Sequence, residues 1–424
     1  METTMRKMVV AAFGMYVAVA GAAWKPSEPV VAYWGGPGYW TNEEKLDDRW
    51  LQQLKDGGFN TVWARTSEEL DNAARYGMRV IYMLDPKTVW FKVDLDDPAQ
   101  AAALAERIDR VKNHPALYVY QHWDEPSAEK FSELSRVKEW IRRRDPNHAT
   151  WINLLPCYAN NKQLGVEGDR ISAYQEHVRR YGEMYCPEFL TYDHYQFKTS
   201  GDVGIYFLNM GIIRQNASAR GIPYWNGVQA CSWTPGKLAS PSSPRIPGPD
   251  EMRYLVYTTV AYGAHGIYYY VYCRKGHVGS IVALDGTPDA KYEVLKTLNR
   301  EFVAISRVLS SLNFTGAYIQ GLHAPGTTPY GEQALLKITP ETPYAELKPQ
   351  QELTDTTLVT RFDSPGKPTH LMVVNCDYRK DRTLHIKAPS AAERFDPRSG
   401  KWSPVGAVFD LSLVRGGGVL LRLP

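Results

Sequence analysis

The sequence predicts an α/β protein: a (β/α)8 TIM barrel followed by a small C-terminal antiparallel β-sandwich. Three observations lead to this fold class. The chain has 424 residues, enough for a barrel of about 250 residues and a further module of about 100. Short apolar runs alternate with amphipathic stretches from residue 29 to about 312, as in βα units around a parallel sheet. Beyond that point the helical pattern stops and short alternating strands follow.

Eight apolar runs are the candidate barrel strands. They span residues 30–34, 60–64, 79–84, 116–122, 150–155, 189–195, 223–230 and 266–272. The helical segments between them include residues 43–56, 101–113, 128–144, 174–185, 203–219 and 250–262. A doubly wound open sheet is the alternative, and it is disfavoured because no glycine-rich phosphate loop follows the first strand.

The remaining segments set the domain boundaries. A proline-rich stretch, residues 240–249, is expected to form an exposed loop after strand seven. A last helix is predicted near residues 290–312, and sandwich strands at residues 356–362, 370–376, 383–386, 408–411 and 418–423. We therefore expect a signal peptide at residues 1–22, the barrel at 23–312 and the sandwich at 313–424.

The N-terminus has the pattern of a secretory signal. Arg6 and Lys7 precede an apolar run at residues 8–20, and the small residues at 20–22 suit a signal peptidase. An uncleaved N-terminal anchor is the alternative, although the run is short for a membrane span. We expect a secreted or periplasmic protein with no integral membrane span after signal cleavage.

Charge and cysteine content narrow the possible functions. Lys plus Arg (49) nearly balances Asp plus Glu (46), so no net field attracts nucleic acid. Twelve Trp and 27 Tyr residues provide rings that could stack on sugars. Five scattered cysteines, without Cys-x-x-Cys spacing, could form at most one or two bridges and leave at least one buried free thiol. The sequence indicates no cofactor and defines no oligomeric state.

The fourth predicted strand ends in two adjacent carboxylates. Residues 113–126 read NHPALYVYQHWDEP, so Asp124 and Glu125 are followed directly by a proline. The C-terminal strand ends of a parallel barrel converge on its active site, and a carboxylate there is presented to substrate. Because successive strand residues point to opposite faces, only one of the two is expected to point directly inward. Alternatively, one of these residues or Ser127 caps the helix that follows.

This segment resembles the strand-four motif of the large clan of retaining (β/α)8 glycoside hydrolases that includes the family 42 β-galactosidases and the cellulase-like enzymes. In that clan the segment typically reads Asn-Glu-Pro, and its Glu is the general acid/base. The resemblance implies that Glu125 is the acid/base and that Asp124 stands where the Asn is usual. It covers roughly residues 30–310 in architecture, with specific motif agreement only around strand four. An aspartate cannot donate a hydrogen bond as Asn does, so recognition of the sugar 2-hydroxyl is not implied.

The nucleophilic Glu that the clan carries at the end of strand seven has no counterpart in this chain. Residues 223–233 read PYWNGVQACSW and contain no acid. Gln229 is close to the expected place, and its neutral amide cannot form a glycosyl ester. Either the nucleophile has moved, or the mechanism inverts, or the protein binds sugar without cleaving it.

Strand six offers the nearest replacement. We expect Asp193 to be the second carboxylate; alternatively, it orients His194 or caps the next segment. Glu251 is a further candidate, although an acid in a first helical turn is also what the helix dipole alone would favour. Asp85, after strand three, is the third candidate.

Aromatic and polar residues at other predicted strand ends could complete a sugar-binding site. They are Trp34, Arg65, His122, Trp123, Asp124, Asn153, Tyr192, His194, Tyr195, Trp225, Gln229, Tyr270 and Tyr272, together with Asp85 and Glu251. Half of these could instead belong to the barrel core. No His-x-His or His-x-x-x-His spacing supports a metal site at His122, Asp193 and His194.

These features predict an exported glycoside hydrolase that cleaves the O-glycosidic bonds of a neutral or weakly charged oligo- or polysaccharide. Glu125 would donate the proton, and Asp193 would act as base or nucleophile. A wide gap between the two carboxyl groups, and hence inversion, is favoured because no acid occupies the strand-seven position. A non-catalytic carbohydrate-binding protein and a different hydrolase or lyase are the alternatives, because a fold alone does not fix chemistry.

Overall fold

The first part of the chain forms a parallel β-barrel. The computed structural model describes residues 24–26, 28–42, 44–233 and 242–424, so the predicted signal peptide lies outside the described residues. The barrel strands are β1 (Val30–Trp34), β2 (Thr61–Ala64), β3 (Arg79–Met83), β4 (Leu117–Asp124), β5 (Ala149–Leu154), β6 (Leu190–His194), β7 (Tyr224–Gln229) and β8 (Gly266–Tyr270). From β2 to β8 each strand pairs with the next in sequence, and β8 pairs in parallel with β1.

The last gap in the barrel, between β1 and β2, is joined through Asn60. Its backbone N–H donates to the Val31 carbonyl at 3.1 Å, and its side-chain Oδ1 accepts from the Val31 N–H at 2.9 Å. These two hydrogen bonds replace the regular backbone ladder that would otherwise pair β1 with β2 and close the barrel. The barrel is therefore nearly closed, and its C-terminal strand ends form one rim.

Helices surround the barrel. They are α1 (Asp48–Asp56), α2 (Ser67–Arg75), α3 (Pro98–Val111), α4 (Phe131–Arg144), α5 (Asn161–Leu164), α6 (Arg170–Met184), α7 (Tyr206–Ala219), α8 (Pro249–Ala261) and α9 (Ala290–Leu309). Side chains such as Asp47, Thr66 and Asp97 accept hydrogen bonds from free N–H groups in the first turns of the helices they precede. No helix in the described ranges is long and apolar enough to cross a membrane.

Large aromatic side chains fill the barrel interior. Trp63 and Trp151 stack with ring centroids 5.1 Å apart, and Trp34 packs edge-on against both. Tyr268 lies 5.4 Å from the Trp151 ring, and Trp225 lies 5.5 Å from it on another side. The interior is thus a packed core, as expected for an eight-stranded barrel, and any ligand must bind at the rim.

The C-terminal part forms one mostly antiparallel sheet. Its main strands are β9 (Asn313–Gln320), β10 (Lys337–Thr339), β11 (Thr357–Asp363), β12 (Thr369–Asn375), β13 (Arg382–Asp396), β14 (Lys401–Leu413) and β15 (Gly418–Leu423). The strand order is β9-β11-β12-β15-β13-β10, with β14 paired to β13. One face of these strands encloses a sandwich core that includes Ile338, Val359, Leu371, Val373, Leu384, Leu411 and Leu421. The fold class predicted from the sequence is confirmed.

The other face of the sheet packs against the barrel. Leu358, Phe362, Met372 and Val374 alternate with the sandwich-core residues and belong to the same buried cluster as the barrel. Strand β12 lies along helix α8. The sheet therefore has a core on each side.

Several local predictions differ from the structure. Strand β9 was not predicted, because Gly316 lies at a register shift that interrupts the alternation of side chains. The described part of the proline-rich loop, residues 242–248, is only partly exposed. All five cysteines lie in described residues and none is paired, and Cys186 is exposed.

Candidate active site

Three carboxyl groups from two strands meet at the C-terminal rim of the barrel. Asp124 and Glu125 stand at the end of β4, and Asp193 stands near the end of β6. Asn153, on β5 between them, donates hydrogen bonds from Nδ2 to Asp124 Oδ1 at 3.2 Å and to Asp193 Oδ2 at 3.3 Å. We call Asp124, Glu125 and Asp193 the acid cluster.

A bulge in β4 brings both adjacent acids to the rim. Gln121 pairs with Trp151 and Asp124 pairs with Asn153, so three steps along β4 match two steps along β5, and His122 is the extra residue. The bulge puts Asp124 on the same side as Asn153. The expectation that only one acid points inward assumed a regular strand, and the bulge removes that assumption.

The backbone of Glu125 is in the left-handed region, with φ +49°. This conformation is unusual for a residue with a long side chain and persists only where the surrounding structure imposes it. The Glu125 N–H donates to the Asn153 carbonyl at 2.8 Å, which fixes the turn. The Glu125 side chain is exposed, and its carboxyl group accepts no hydrogen bond from the described residues. It is therefore available to a ligand.

Asp193 is held firmly in place. The Tyr195 hydroxyl donates to Asp193 Oδ2 at 2.7 Å, in addition to the bond from Asn153. Asp193 Oδ1 is buried and has no hydrogen-bond partner within the described ranges. Tyr268 fixes Asn153 in turn, because its hydroxyl lies 2.5 Å from Asn153 Oδ1. Asp124 and Asp193 are thus held in place through one amide and two phenols, whereas the Glu125 carboxyl is not.

Burial and mutual repulsion raise the pKa values of the acid cluster. Burial by neighbouring protein groups raises the pKa of Glu125, and the charges of Asp193 and Asp124 raise it further, although water still reaches its side chain. Burial and Asp193 also raise the pKa of Asp124, while Asn153 and Arg274 oppose that rise. Burial raises the pKa of Asp193 less strongly overall, because Tyr195 and Asn153 stabilise its ionised form. Glu125 is therefore the acid best suited to hold a proton near neutral pH.

An aromatic wall stands beside the acid cluster. It consists of Tyr195, Trp233 and Tyr270, whose ring centroids lie 4.8–5.3 Å from one another. Tyr195 joins this wall to Asp193 through its hydroxyl. The ammonium group of Lys198 lies 5.5 Å from the centre of the Trp233 ring. Aromatic faces beside carboxyl groups suit the stacking of a sugar ring.

Some of the predicted sugar-binding residues lie in the barrel core or in salt bridges. Trp34 and Trp225 are buried in the interior. Arg65 pairs with Glu69 at 3.1 Å and donates to the Asn42 carbonyl at 2.8 Å. The two indole rings are packed inside the barrel, and the Arg65 guanidinium is already paired with protein groups.

Gln229 and Glu251 have structural contacts. Gln229 accepts from the Phe197 N–H at 3.0 Å and donates to the Arg245 carbonyl at 2.7 Å, so it binds two loops together. Glu251 accepts from the Gly248 N–H at 2.5 Å as a helix cap and pairs with Arg245 at 2.5 Å. Neither side chain is free to act as a nucleophile.

The remaining predicted residues are directed away from the acid cluster. His122 contacts the Tyr185 hydroxyl at 3.0 Å, and His194 contacts Asn209 on α7 at 3.0 Å. Tyr272 donates to Gln53 on α1 at 2.8 Å. Tyr192 is also fully buried, whereas Asp85 forms a local turn by accepting from the Lys87 N–H at 2.9 Å.

Metal binding has no support from the described residues, where no group of three His, Cys, Asp or Glu side chains could hold an ion. His122 and His194 face the helices, and burial lowers the pKa of both imidazoles. Their second ring nitrogens lack partners among the described residues. The arrangement is that of two buried histidines each held by one hydrogen bond.

Sequence reasoning missed Tyr158, Lys198, Trp233, Tyr268 and Arg274. Tyr268 could have been found, because it shares a face with the predicted Tyr270 two positions later on β8. The other four residues lie outside the barrel strands, where side-chain periodicity gives no direction.

The structure is similar to solved structures of glycoside hydrolases. A glycoside hydrolase family 5 protein from Bacteroides vulgatus gives a TM-score of 0.54 and 14% identity, covering 93% of this chain and 89% of that chain. Another structure, described as a glycoside hydrolase, gives a TM-score of 0.53 and 13% identity, covering 93% and 92%. No protein-family model and no curated protein sequence matches the chain. The predicted resemblance is therefore confirmed at the level of the fold: the chain has the (β/α)8 architecture seen in these glycoside hydrolases, followed by a β-sandwich.

Proposed function

We propose that this protein is a glycoside hydrolase that uses Glu125 as its proton donor and Asp193 as the second carboxylate. One observation carries the proposal: Glu125 and Asp193 lie together at the barrel rim, and their carboxyl groups have different environments. Glu125 is free of hydrogen bonds from described residues and its pKa is strongly raised, whereas two donors hold Asp193. Most glycoside hydrolases use two carboxyl groups whose environments differ in this way, one as the acid and the other as the base or nucleophile.

The chemistry follows from these two environments. Protonated Glu125 gives its proton to the glycosidic oxygen as the bond from that oxygen to the anomeric carbon breaks. Asp193, ionised and fixed by Tyr195 and Asn153, accepts a proton from water as the water oxygen attacks the anomeric carbon. Both carboxyl groups have then exchanged protonation states, and solvent resets them.

The replacement of Glu125 by Gln tests this proposal. We expect Glu125→Gln to lose at least about 100-fold in the release of reducing ends from plant and algal glycans, because the amide N–H is too weak an acid to transfer a proton to the leaving oxygen. Glu129→Gln is the matched control, since Glu129 is an exposed acid four positions further along the chain. Full activity of the folded Glu125→Gln protein on an unactivated glycan would contradict the proposal.

A carbohydrate-binding protein without catalysis is the second candidate function. The observation that favours it is the state of Gln229, which is neutral and bound entirely to backbone. The two functions differ in one measurement. A binding protein would retain glycans on an affinity gel and release no reducing ends, whether or not Glu125 is replaced.

We also propose export, which rests on the sequence of residues 1–22. Positive charges, an apolar run and small residues follow one another in that segment, as in a cleaved signal. N-terminal sequencing of protein recovered outside the cytoplasm should begin near residue 23. Recovery of full-length protein with the cell membranes would instead indicate an uncleaved anchor.

A further inference from the structure

Two cations that follow barrel strands on the C-terminal rim form no ion pairs with described residues. One is Lys198, in the short hairpin formed by Phe197–Lys198 and Gly201–Asp202. The other is Arg274, four residues after β8. Other cations near the barrel rim are paired, for example Arg65 with Glu69. Unpaired cations in a concave site are candidates for ligand contacts.

Lys198 is positioned at the aromatic wall. Its ammonium group lies 5.5 Å from the Trp233 ring centre and 5.9 Å from that of Tyr158. The hairpin is anchored by a further β-bridge from Lys198 to Pro244. Partial burial lowers the pKa of Lys198, and no neighbouring carboxylate offsets that effect. The charge is thus held between two rings and is only partly hydrated.

Arg274 lies close to the end of β1. Its Cδ packs against Gly35 at the end of β1, where a Cβ on that glycine would lie 3.2 Å from it. Its positive charge lowers the pKa values of Asp124 and Tyr270. Arg274 therefore adds positive potential to the space between the aromatic wall and the acid cluster.

The acid cluster does not neutralise these cations fully at neutral pH. Burial raises the pKa of all three carboxyl groups, and the proposed mechanism has Glu125 protonated while Asp193 is ionised. A ligand anion placed between Lys198 and Arg274 would meet two positive charges and a cluster that is partly neutral. A sugar ring with no charge would leave Lys198 desolvated without compensation.

We propose that the substrate is an anionic glycan, and that Lys198 binds a carboxylate or sulfate group on the sugar ring that stacks on Trp233. Arg274 supplies further positive potential near Asp124 and Tyr270. The inference rests on the proposed function and narrows its substrate class from a neutral or weakly charged glycan to an acidic one. A charge-assisted hydrogen bond in a partly dry site is worth about 1.5–3 kcal/mol, or roughly 10- to 150-fold in affinity.

Matched pairs of polysaccharides test this inference. Alginate and polygalacturonate would each be compared with their carboxyl-reduced forms, and ulvan and carrageenan with their desulfated forms. We expect reducing ends to be released from at least one acidic polymer and at least about 10-fold more slowly from its neutral form. Comparison of the carboxyl-reduced pairs with the desulfated pairs identifies whether the bound anion is a carboxylate or a sulfate. Equal rates on both members of every pair would overturn the inference and leave the proposed hydrolase intact.

Variants of Lys198 localise the effect. Lys198→Met should raise KM for the acidic polymer about 10- to 100-fold with a smaller change in kcat, and Lys198→Arg should restore most of the loss. Lys275→Met is the control, because Lys275 is an exposed lysine next to Arg274. The same KM for wild type and Lys198→Met would contradict the assignment.

Binding to the Glu125→Gln protein separates this inference from the proposed function. If the wild type cleaves neither these polymers nor the other plant and algal glycans, the hydrolase proposal fails. Calorimetric binding of acidic but not neutral fragments to Glu125→Gln would still support the anion site, and its loss in the double variant with Lys198→Met would locate it. No binding of any acidic fragment would overturn the inference independently of catalysis.

Discussion

Glu125 combines a left-handed backbone with an exposed carboxyl group that accepts no hydrogen bond from described residues. A left-handed conformation destabilises the folded state by about 1 kcal/mol or more when the residue has a side chain, and a glycine would avoid this penalty. The conformation therefore indicates a functional requirement for the Glu125 carboxyl group at this position. Asp193 is the opposite case, because its side chain is fixed by Tyr195 and Asn153.

The pH dependence of activity should reflect these two residues. Glu125 must be protonated to act as an acid, so kcat/KM should fall as pH rises through its pKa, which burial and the neighbouring acids raise. Asp193 must be ionised, so kcat/KM should fall as pH drops through its pKa, which is raised from 3.8. A profile measured on the best glycan should be bell-shaped. An alkaline limb near pH 4.5, the ordinary value for Glu, would contradict the assignment.

The stability of the protein should respond to Asp193 in the opposite sense from an aspartate whose ionised form is stabilised by ion pairs or hydrogen bonds. Its raised pKa means that the folded state binds the proton more tightly than the unfolded chain. Ionisation therefore costs stability as pH rises from about 3.8 through the folded pKa. Asp193→Asn should be more stable than wild type at pH 8, on the order of 1–3 kcal/mol, and equal to it near pH 3. Thermal unfolding at the two pH values measures the difference.

Asp145 provides the matched control for this effect. Burial raises its pKa, but hydrogen bonds from His148 and Tyr120 outweigh that cause and leave the pKa below 3.8. Its ionised form therefore contributes stability above the unfolded pKa, and this contribution is lost as pH falls through the folded pKa. Asp145→Asn should be destabilised at pH 8. If both variants are less stable than wild type at pH 8, then the ionised form of Asp193 does not destabilise the folded protein.

At the scale of elements, strand periodicity predicted which strand ends carry acids but not where every side chain points. The apolar runs located Glu125 and Asp193 correctly at β4 and β6 because burial on both faces gives barrel strands long apolar runs. The bulge at His122 could not be predicted, since one extra residue leaves no mark in the apolar pattern. Lys198 lies in a short hairpin and Arg274 in a loop, both in connections after barrel strands, where side-chain periodicity gives no direction.

The element that carries the second carboxylate should decide the stereochemistry. Asp193 projects from β6, and the β7 position near Gln229 offers no acid. An aspartate is also one methylene shorter than a glutamate, so we expect a gap of about 6.5–9.5 Å, with room for water and inversion of the anomer. NMR of the first-formed product would reveal the anomer. Retention, with a glycosyl ester trapped on another residue, would show that Asp193 is not the partner of Glu125.

For the whole molecule, the C-terminal sheet is part of the structure that supports the rim. The Tyr378 hydroxyl donates to Asp202 Oδ2 at 2.8 Å, and Asp202 closes the hairpin that carries Lys198. Arg245 pairs with Glu251 at 2.5 Å, and its guanidinium lies 4.5 Å from the Phe197 ring centre. The sheet thus reaches the site through a chain of polar and aromatic contacts.

The shared core predicts that the two parts unfold together. Phe362, Met372 and Val374 of the sheet are buried in the cluster that includes the barrel. Removal of residues 313–424 would expose this apolar surface on α8 and its neighbours, so the shortened chain should aggregate or bind hydrophobic dyes. Calorimetry of the intact protein should give one cooperative transition. Two separated transitions, or a soluble and active chain ending at residue 312, would contradict this prediction.

The stacked indoles inside the barrel should give the protein an optical signature. Trp63 and Trp151 lie 5.1 Å apart with planes inclined by 29°, in a fixed chiral arrangement. Two identical chromophores so placed share their excitation, and circular dichroism should show paired bands of opposite sign. Trp151→Phe should weaken the bands and leave only the coupling of Trp34 to Trp63, whose centroids lie 5.2 Å apart, whereas Trp402→Phe, in the sandwich strand β14, should leave them intact. Because Asn153 follows Trp151 by two residues on the same strand, ligand binding at the rim should perturb these bands and give a direct spectroscopic titration.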